Sequence, residues 1–493
     1  MTKIKSNRYR YRYRYRKTKL VFLGTSFLIL MGVGGVFMEY RASGYSVAEI
    51  LNYLDRRVEG HPRLEKWTAP VFARIRALEG SSEFQAQAAQ PFLIPPPPPR
   101  WGMVPLKGGE EQALIEPYLS GVWLVPPGPV HRILHVGPSE SIKSISVAAS
   151  MARDGDVVQI DAGDYHEDVV ASWGQNDLLI QGVGGNARLF AEGNSAEGKA
   201  IWVVRGGRIR IENIDFMNAQ VSDRNGAGIR FEKGDLWVRN CLFFANENGL
   251  LTSDEENSSL VIENSEFAYN GAGDGFSHDL YVGKLKSLVV LASYFHHANV
   301  GHLFKSRAAR NDILYNRLTD EMGGRASYEL DLPNGGTALV LGNIIQQGTD
   351  TENSTVIAYG EEGMSWPDNA LYLASNTLVN DKEGAGAFLR VPKAGARVVS
   401  VNNLLVGYGE YHVLAGLVSS NDRSVDWQAF YRPLRQDYRL EAPVEEQLHY
   451  ETPSPSLAPD IDLVPRAEPV APRQLNLLKH GPVYPGALQT LAP

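Results

Sequence analysis

Seven residues near the middle of this chain carry the groups of an acid/base centre: His278, Tyr281, His302, Lys305, Arg307, Glu329 and Asp331. They lie in short segments of similar build, Ser277-His-Asp-Leu-Tyr281, Gly301-His-Leu-Phe-Lys305 and Glu329-Leu-Asp-Leu332. Removing a proton α to a carboxylate needs a base, a cation facing that carboxylate to stabilise the developing enolate, and an acid for the departing oxygen. Lys305 suits the base, Tyr281 or His278 the acid, and Asp331 a partner to the lysine. Arg307 offers a planar fork matched to a carboxylate. His302, Glu329 and Arg230 complete the expected substrate contacts. The substrate class this chemistry calls for is a uronate, and hence an anionic polysaccharide.

Side chains this far apart in sequence meet only if the chain returns on itself at a fixed period. A recurring phrase supplies one: Asn213-Ile-Asp-Phe216, Asn240-Cys-Leu-Phe243, Asn264-Ser-Glu-Phe267, Asn316-Arg-Leu318, Asn343-Ile-Ile345, Asn376-Thr-Leu-Val379 and Asn403-Leu-Leu-Val406. It returns after 27, 24, 52, 27, 33 and 27 residues, and the gap of 52 divides if Ala292-Ser-Tyr-Phe295 is a coil lacking its Asn. Each phrase opens a β-branched or aromatic run bounded by Gly, Asn and Asp, which specifies a parallel β-helix. The Asn side chains are expected to stack from coil to coil and to tolerate a left-handed backbone.

Aligning the strand after each Gly/Asn turn places Ile229, Leu250, Leu280, Phe304, Leu330 and Ile357 in one inward stack. The outward row is then Arg230, Leu251, Tyr281, Lys305, Asp331 and Ala358. Rungs about 4.8 Å apart would bring Tyr281, Lys305 and Asp331 into contact, with Arg307 on the face of Lys305 and Glu329 on that of Asp331.

The entry to the solenoid carries Gly155-Asp-Val-Val-Gln-Ile160 and Gly163-Asp-Tyr-His-Glu167 after an amphipathic capping helix expected over Ile142 to Met151. These phrases resemble the N-terminal cap of the pectin-lyase-like right-handed β-helix superfamily. That resemblance implies an all-β, right-handed parallel β-helix over 134–413. Lys305-Ser-Arg-Ala-Ala-Arg-Asn311, Tyr315-Asn316 and Leu341-Gly-Asn343 further resemble the alginate lyase and chondroitinase B family of polysaccharide lyases, which implies Lys305 as base. Where that family has Arg-His-Gly, this chain has Leu330-Asp-Leu-Pro-Asn-Gly335. Asp274-Gly-Phe-Ser-His278 resembles a motif of carbohydrate C5-epimerases, which open with the same proton abstraction.

Other readings of the same residues compete. Lys305 and Asp331 could form a solvated cross-strand ion pair, and Glu329 and Asp331 the acid pair of a glycoside hydrolase. His278, Asp279 and His302 match no standard metal-ligand spacing, so no metal or cofactor is assigned, with calcium left open. His296 and His297 are expected at a turn or on the surface. Phe276, Tyr281, Tyr294 and Trp366 are either sugar platforms or packing. A glycan-binding or assembly protein without catalysis is the rival from another class.

The chain has 48 Lys plus Arg against 56 Asp plus Glu, but residues 1–38 hold nine of the basic residues and no acid. The remainder is acidic, which disfavours nucleic acid as a partner. Leu20 to Met38 is an uncharged run of 19 residues, long enough to cross a bilayer, and the basic residues 1–19 before it would stay in the cytoplasm. A helical stalk (39–90), a Pro-rich linker (91–133), the β-helix (134–413) and a Pro-rich tail (414–493) would then face the periplasm of a bacterial cell. The single cysteine, Cys241, is expected in the core.

Overall fold

The computed structural model describes Lys66, Thr68 and residues 92–98, 113–119, 121–125 and 128–493 apart from 352, 385 and 445–447. The expected span at Leu20 to Met38 and nearly all of the stalk lie outside the described residues. Among the described ones no helix is long and apolar enough to cross a membrane.

From Ile133 to Val425 the chain winds a right-handed parallel β-helix with three strands per coil. Ten strands, from Ala171–Trp173 to Glu410–Val413, form a front sheet. A second sheet begins with Ile133–Val136 and ends with Leu417–Ser420, and a third ends with Arg423–Val425. One coil is Leu280–Val282, Leu285–Leu291 and Tyr294–His296; the next is Phe304–Ser306, Arg310–Leu314 and Arg317–Thr319. The helix Ile145–Met151 starts three residues later than its pattern suggested, because Ser144 caps it and Ile142 pairs instead with Val136. Its buried Ile145, Ala148 and Ala149 join the core of the first coil.

Each coil alone buries too little apolar surface to be stable, and stacking makes the core continuous. Phe216, Phe243, Phe267 and Phe295 stack face to face at 5.1, 4.4 and 4.6 Å between centroids. Such contacts contribute about 0.5–1.5 kcal/mol each beyond their burial. Cys241 is fully buried among them, and burial pushes its thiol far up, so it is a core residue.

The recurring Asn residues form two ladders rather than one. At the bend between the second and third sheets, Asn213, Asn240, Asn264, Ala292, Tyr315, Gly342, Ser375, Asn402 and Asn421 all take positive φ. Asn tolerates that region better than other non-Gly residues because its short amide bonds locally. One residue further on, Asn316, Asn343, Asn376 and Asn403 run inside the coil, each amide oxygen accepting the backbone N–H of the preceding coil. Ser293 and Ser265 hold the same place in earlier coils and accept in the same way. The shift of one residue at Asn316 was invisible in the spacing because the coil between has no Asn.

The segment after Val425 runs back along the outside. Ala458, Leu463, Ala467 and Leu475 pack with Val261, Val289 and Leu339 of the second sheet, and Leu114 and Ile115 join them. Phe430, Tyr438, Leu440 and Ala487 pack on Ile344, Val379 and Val406 of the third. The apolar cluster on the front sheet, around Val203, Leu251 and Tyr281, contains no described residue of the tail. Among the described residues, the tail thus packs on the second and third sheets.

Candidate active site on the front sheet

The front-sheet register agrees with the sequence alignment at every rung. Ile229, Leu250, Leu280, Phe304, Leu330 and Ile357 are successive partners, all buried. Arg230, Leu251, Tyr281, Lys305, Asp331 and Ala358 form the outward row, which continues to Arg390 and His412. The period-two alternation of a strand carries the whole set outward once one apolar residue is fixed inward.

Tyr281, Lys305, Arg307, Asp331, His278 and His302 come together. Lys305 Nζ lies 3.2 Å from Asp331 Oδ2 and 3.6 Å from Glu362 Oε1. Arg307 Nε donates to Tyr281 Oη at 3.3 Å, and both cations lie 5.8 Å from the Tyr281 ring centre. His302 Nε2 is 3.5 Å from Asp331 Oδ2. The His302 backbone N–H donates to His278 Nδ1 at 2.9 Å and that of Tyr328 to His302 Nδ1 at 3.2 Å. A backbone N–H is only a donor, so in both rings a proton sits on Nε2. The imidazoles stack at 4.5 Å, and His278 meets Tyr281 edge-on at 5.2 Å. Arg230 lies two rungs from Tyr281 on the same face and donates to Ser253 Oγ at 3.3 Å.

Burial sets the electrostatics. The Asp331 side chain is 3% exposed, and loss of water raises its pKa against the opposing pull of Lys305. Burial lowers Arg230 as well. For Arg307 burial acts downward, but its hydrogen bonds to Glu362 and Tyr281 outweigh it and hold the guanidinium charged. The same bond from Arg307 lowers Glu362.

Glu329 departs from its expected place. It is fully buried at the corner, where Gln347 Nε2 donates to its Oε2 at 3.1 Å, so it takes no part in the groove. Desolvation first, then nearby Asp320, raise its pKa strongly. The hydrolase reading thereby loses its second acid. Asp279 is also sealed inside, accepting from the Asn270 side chain at 2.8 Å, so it does not join His278 and His302. Among the described residues no three His, Cys, Asp or Glu side chains gather as metal ligands.

Sequence reasoning missed Glu362, Glu361, Asn334 and Arg390. Both Glu362 carboxylate oxygens accept from Arg307, at 2.6 and 2.9 Å, and Asn334 Oδ1 accepts from Arg307 Nη1. Glu361 pairs with Arg390 at 3.0 Å. The available signal was the corner after Thr355–Tyr359, which needs ten residues to reach Ala370 where Ser306 reaches Arg310 in three. Trp366 sits on that corner and donates from Nε1 to Arg307 O at 3.0 Å, so it anchors the loop. Phe276 is 55% exposed at the other edge of the groove. His296 is a buried strand residue facing Glu266 rather than a turn residue, whereas His297 does turn, with φ 55°.

No protein-family model matches this chain, and no curated protein matches it. Among solved structures it is similar to pectate lyase Pel9A, with 14% identity, 66% of this chain and 92% of that chain covered, and a TM-score of 0.49. It is also similar to the PL6 family alginate lyase AlyGC, with 12% identity, 64% and 56% covered, and a TM-score of 0.31. A pectin methylesterase from Aspergillus niger gives 12% identity, 61% and 88% covered, and a TM-score of 0.29.

Proposed function

We propose that this chain binds an anionic, uronate-bearing polysaccharide along its front sheet and breaks it by β-elimination. One observation carries the proposal. Tyr281, Lys305 and Asp331 are neighbours on three successive strands of the front sheet, and Arg307 touches Tyr281.

In this reading Arg307 receives the uronate carboxylate and spreads the charge that develops on it. Lys305, after passing a proton toward Asp331, takes the C5 proton. The C4–O bond breaks as the C4–C5 double bond forms, and Tyr281 gives its proton to the departing oxygen. His302 and Asp331 hold the lysine, and the stacked His278 holds His302 and Tyr281. An epimerase would share the first step and return the proton to the opposite face.

Binding without turnover is the second reading. It is favoured by the pairing of Lys305 with both Asp331 and Glu362, which commits the amine to two carboxylates of the protein itself. Incubation with a panel of uronate polymers separates the readings. Ultraviolet absorbance from the unsaturated product supports elimination; C5 proton exchange without absorbance supports epimerisation; saturable binding with neither supports a binding protein. The proposal includes anchoring by Leu20 to Met38, with the β-helix in the periplasm. A reporter fused after Pro99 that stays cytoplasmic would overturn that part.

A further inference from the structure

Besides Asp331, the front-sheet cations are met by two carboxylates that come from one loop. Glu361 and Glu362 are consecutive, yet they serve different coils: Glu362 reaches Lys305 and Arg307, and Glu361 reaches Arg390. Lys305 and Arg390 are three rungs apart in the outward row, about 14 Å along the axis at 4.8 Å per rung. Glycines flank the pair, Gly360 with φ 75° and Gly363 with φ 118°, conformations that L side chains rarely adopt. Below the glutamates the loop is fastened by Trp366 to Arg307 O and by Ser365 to Asn334. The Glu362 side chain is less confined, at 48% exposed against 12% for Lys305, while Glu361 is 24% exposed beside Arg390 at 18%.

Resting on the proposed function, we infer that Glu361 and Glu362 are internal stand-ins for two carboxylates of the ligand, which must displace them to bind. A fork that donates to both oxygens of Glu362 has the geometry a uronate carboxylate needs, and the same atoms cannot serve both. The ligand is therefore a polymer acidic at more than one sugar. A neutral glycan gains nothing in exchange for releasing the two ion pairs, so the loop acts as a specificity gate.

The test is calorimetric titration of the full-length protein and of its Glu362→Gln, Glu361→Gln and doubly substituted variants with a uronate oligomer and a neutral oligomer of equal length. Glu362→Gln is expected to tighten uronate binding about tenfold, within the usual range of coupling between competing contacts, and to leave the neutral oligomer unaffected. Glu361→Gln, which releases Arg390 on the other coil, is expected to act in the same direction and to add to it. Binding by the variants alone, with none by the wild type, also supports the gate. A wild type that binds the uronate oligomer no more weakly than both variants overturns the gate and leaves the proposed function standing. Absence of binding by all four proteins overturns both.

Discussion

Lys305 and Asp331 are direct partners on successive strands of the front sheet, and the ammonium lies 3.2 Å from the carboxylate in a setting where Asp331 is 3% exposed. Burial raises the Asp331 pKa, and at 3.2 Å against 3.6 Å for Glu362 its carboxylate is the nearer of the two facing Lys305, the place the proposed mechanism gives to the proton acceptor. Asp331→Asn should lower kcat on a uronate polymer by about 100-fold or more, with little change in KM. It should also move the acidic limb of the pH–rate profile. An unchanged profile would assign Asp331 to the fold alone.

Arg307 makes its contacts through the shape of the guanidinium as much as through its charge. Its Nε reaches Tyr281 while its two terminal nitrogens span the Glu362 carboxylate. Arg307→Lys keeps the charge and loses the fork. It should raise KM for a uronate polymer at least tenfold, the equivalent of about 1.4 kcal/mol. Steady-state kinetics with equal KM for both proteins would remove Arg307 from substrate recognition.

Three carboxyls are sealed inside one corner of the solenoid: Asp279, Asp320 and Glu329. Desolvation raises all three well above the ordinary carboxylate range. A raised folded pKa means that the native state holds protons the unfolded chain releases. The contribution to stability is full below the unfolded values and is lost as pH rises through the raised ones, with a slope of about 1.4 kcal/mol per pH unit for each group. Glu329→Gln keeps a hydrogen-bonding side chain and removes one such proton. Denaturant titrations at several pH values should show a shallower fall of stability with rising pH in the variant, and equal slopes would mean that Glu329 is ionised in the fold.

The inner Asn ladder can be tested at Asn343. Its oxygen accepts from the Asn316 backbone N–H at 2.7 Å, and its nitrogen donates to Ile313 O at 2.8 Å. Asn343→Ala orphans both buried groups and should cost about 3 kcal/mol or more. Asn343→Ser keeps an acceptor where Ser293 already works, and should recover about 1 kcal/mol of that loss. Equal unfolding midpoints for the two variants would show that the backbone finds other partners.

The front sheet was legible in the sequence because one fixed inward residue, such as Leu280 or Phe304, determines the facing of the whole strand. The three-residue segments there are too short to slip by one without exposing that residue. The bend beside Asn316 gave no such check: Asn264 and Asn316 are the same residue type in adjacent positions with different tasks, and spacing alone merged them. Glu329 looked like a groove residue by alternation, but strand alternation ends where the corner begins. Glu362 was hidden because it reaches Arg307 across 55 positions from an irregular loop. Which sheets the Pro-rich tail packs against was hidden too, since Leu463, Leu475 and Phe430 are scattered through it without period.

The most direct measurement is the rate of unsaturated product formed from a uronate polymer by wild type and Lys305→Ala, with unfolding midpoints taken on both. Lys305 is 12% exposed and its partner Asp331 is 3% exposed, so truncation leaves a buried carboxylate without its cation and should lower stability by about 3 kcal/mol, which the midpoints register separately from the rate. The expected result is turnover by the wild type and a loss of about 1000-fold or more in the variant, measured at a temperature where the midpoints show both proteins folded. Equal rates in the two proteins would contradict Lys305 as the base, and no product from either, with no C5 exchange, would contradict catalysis on this face.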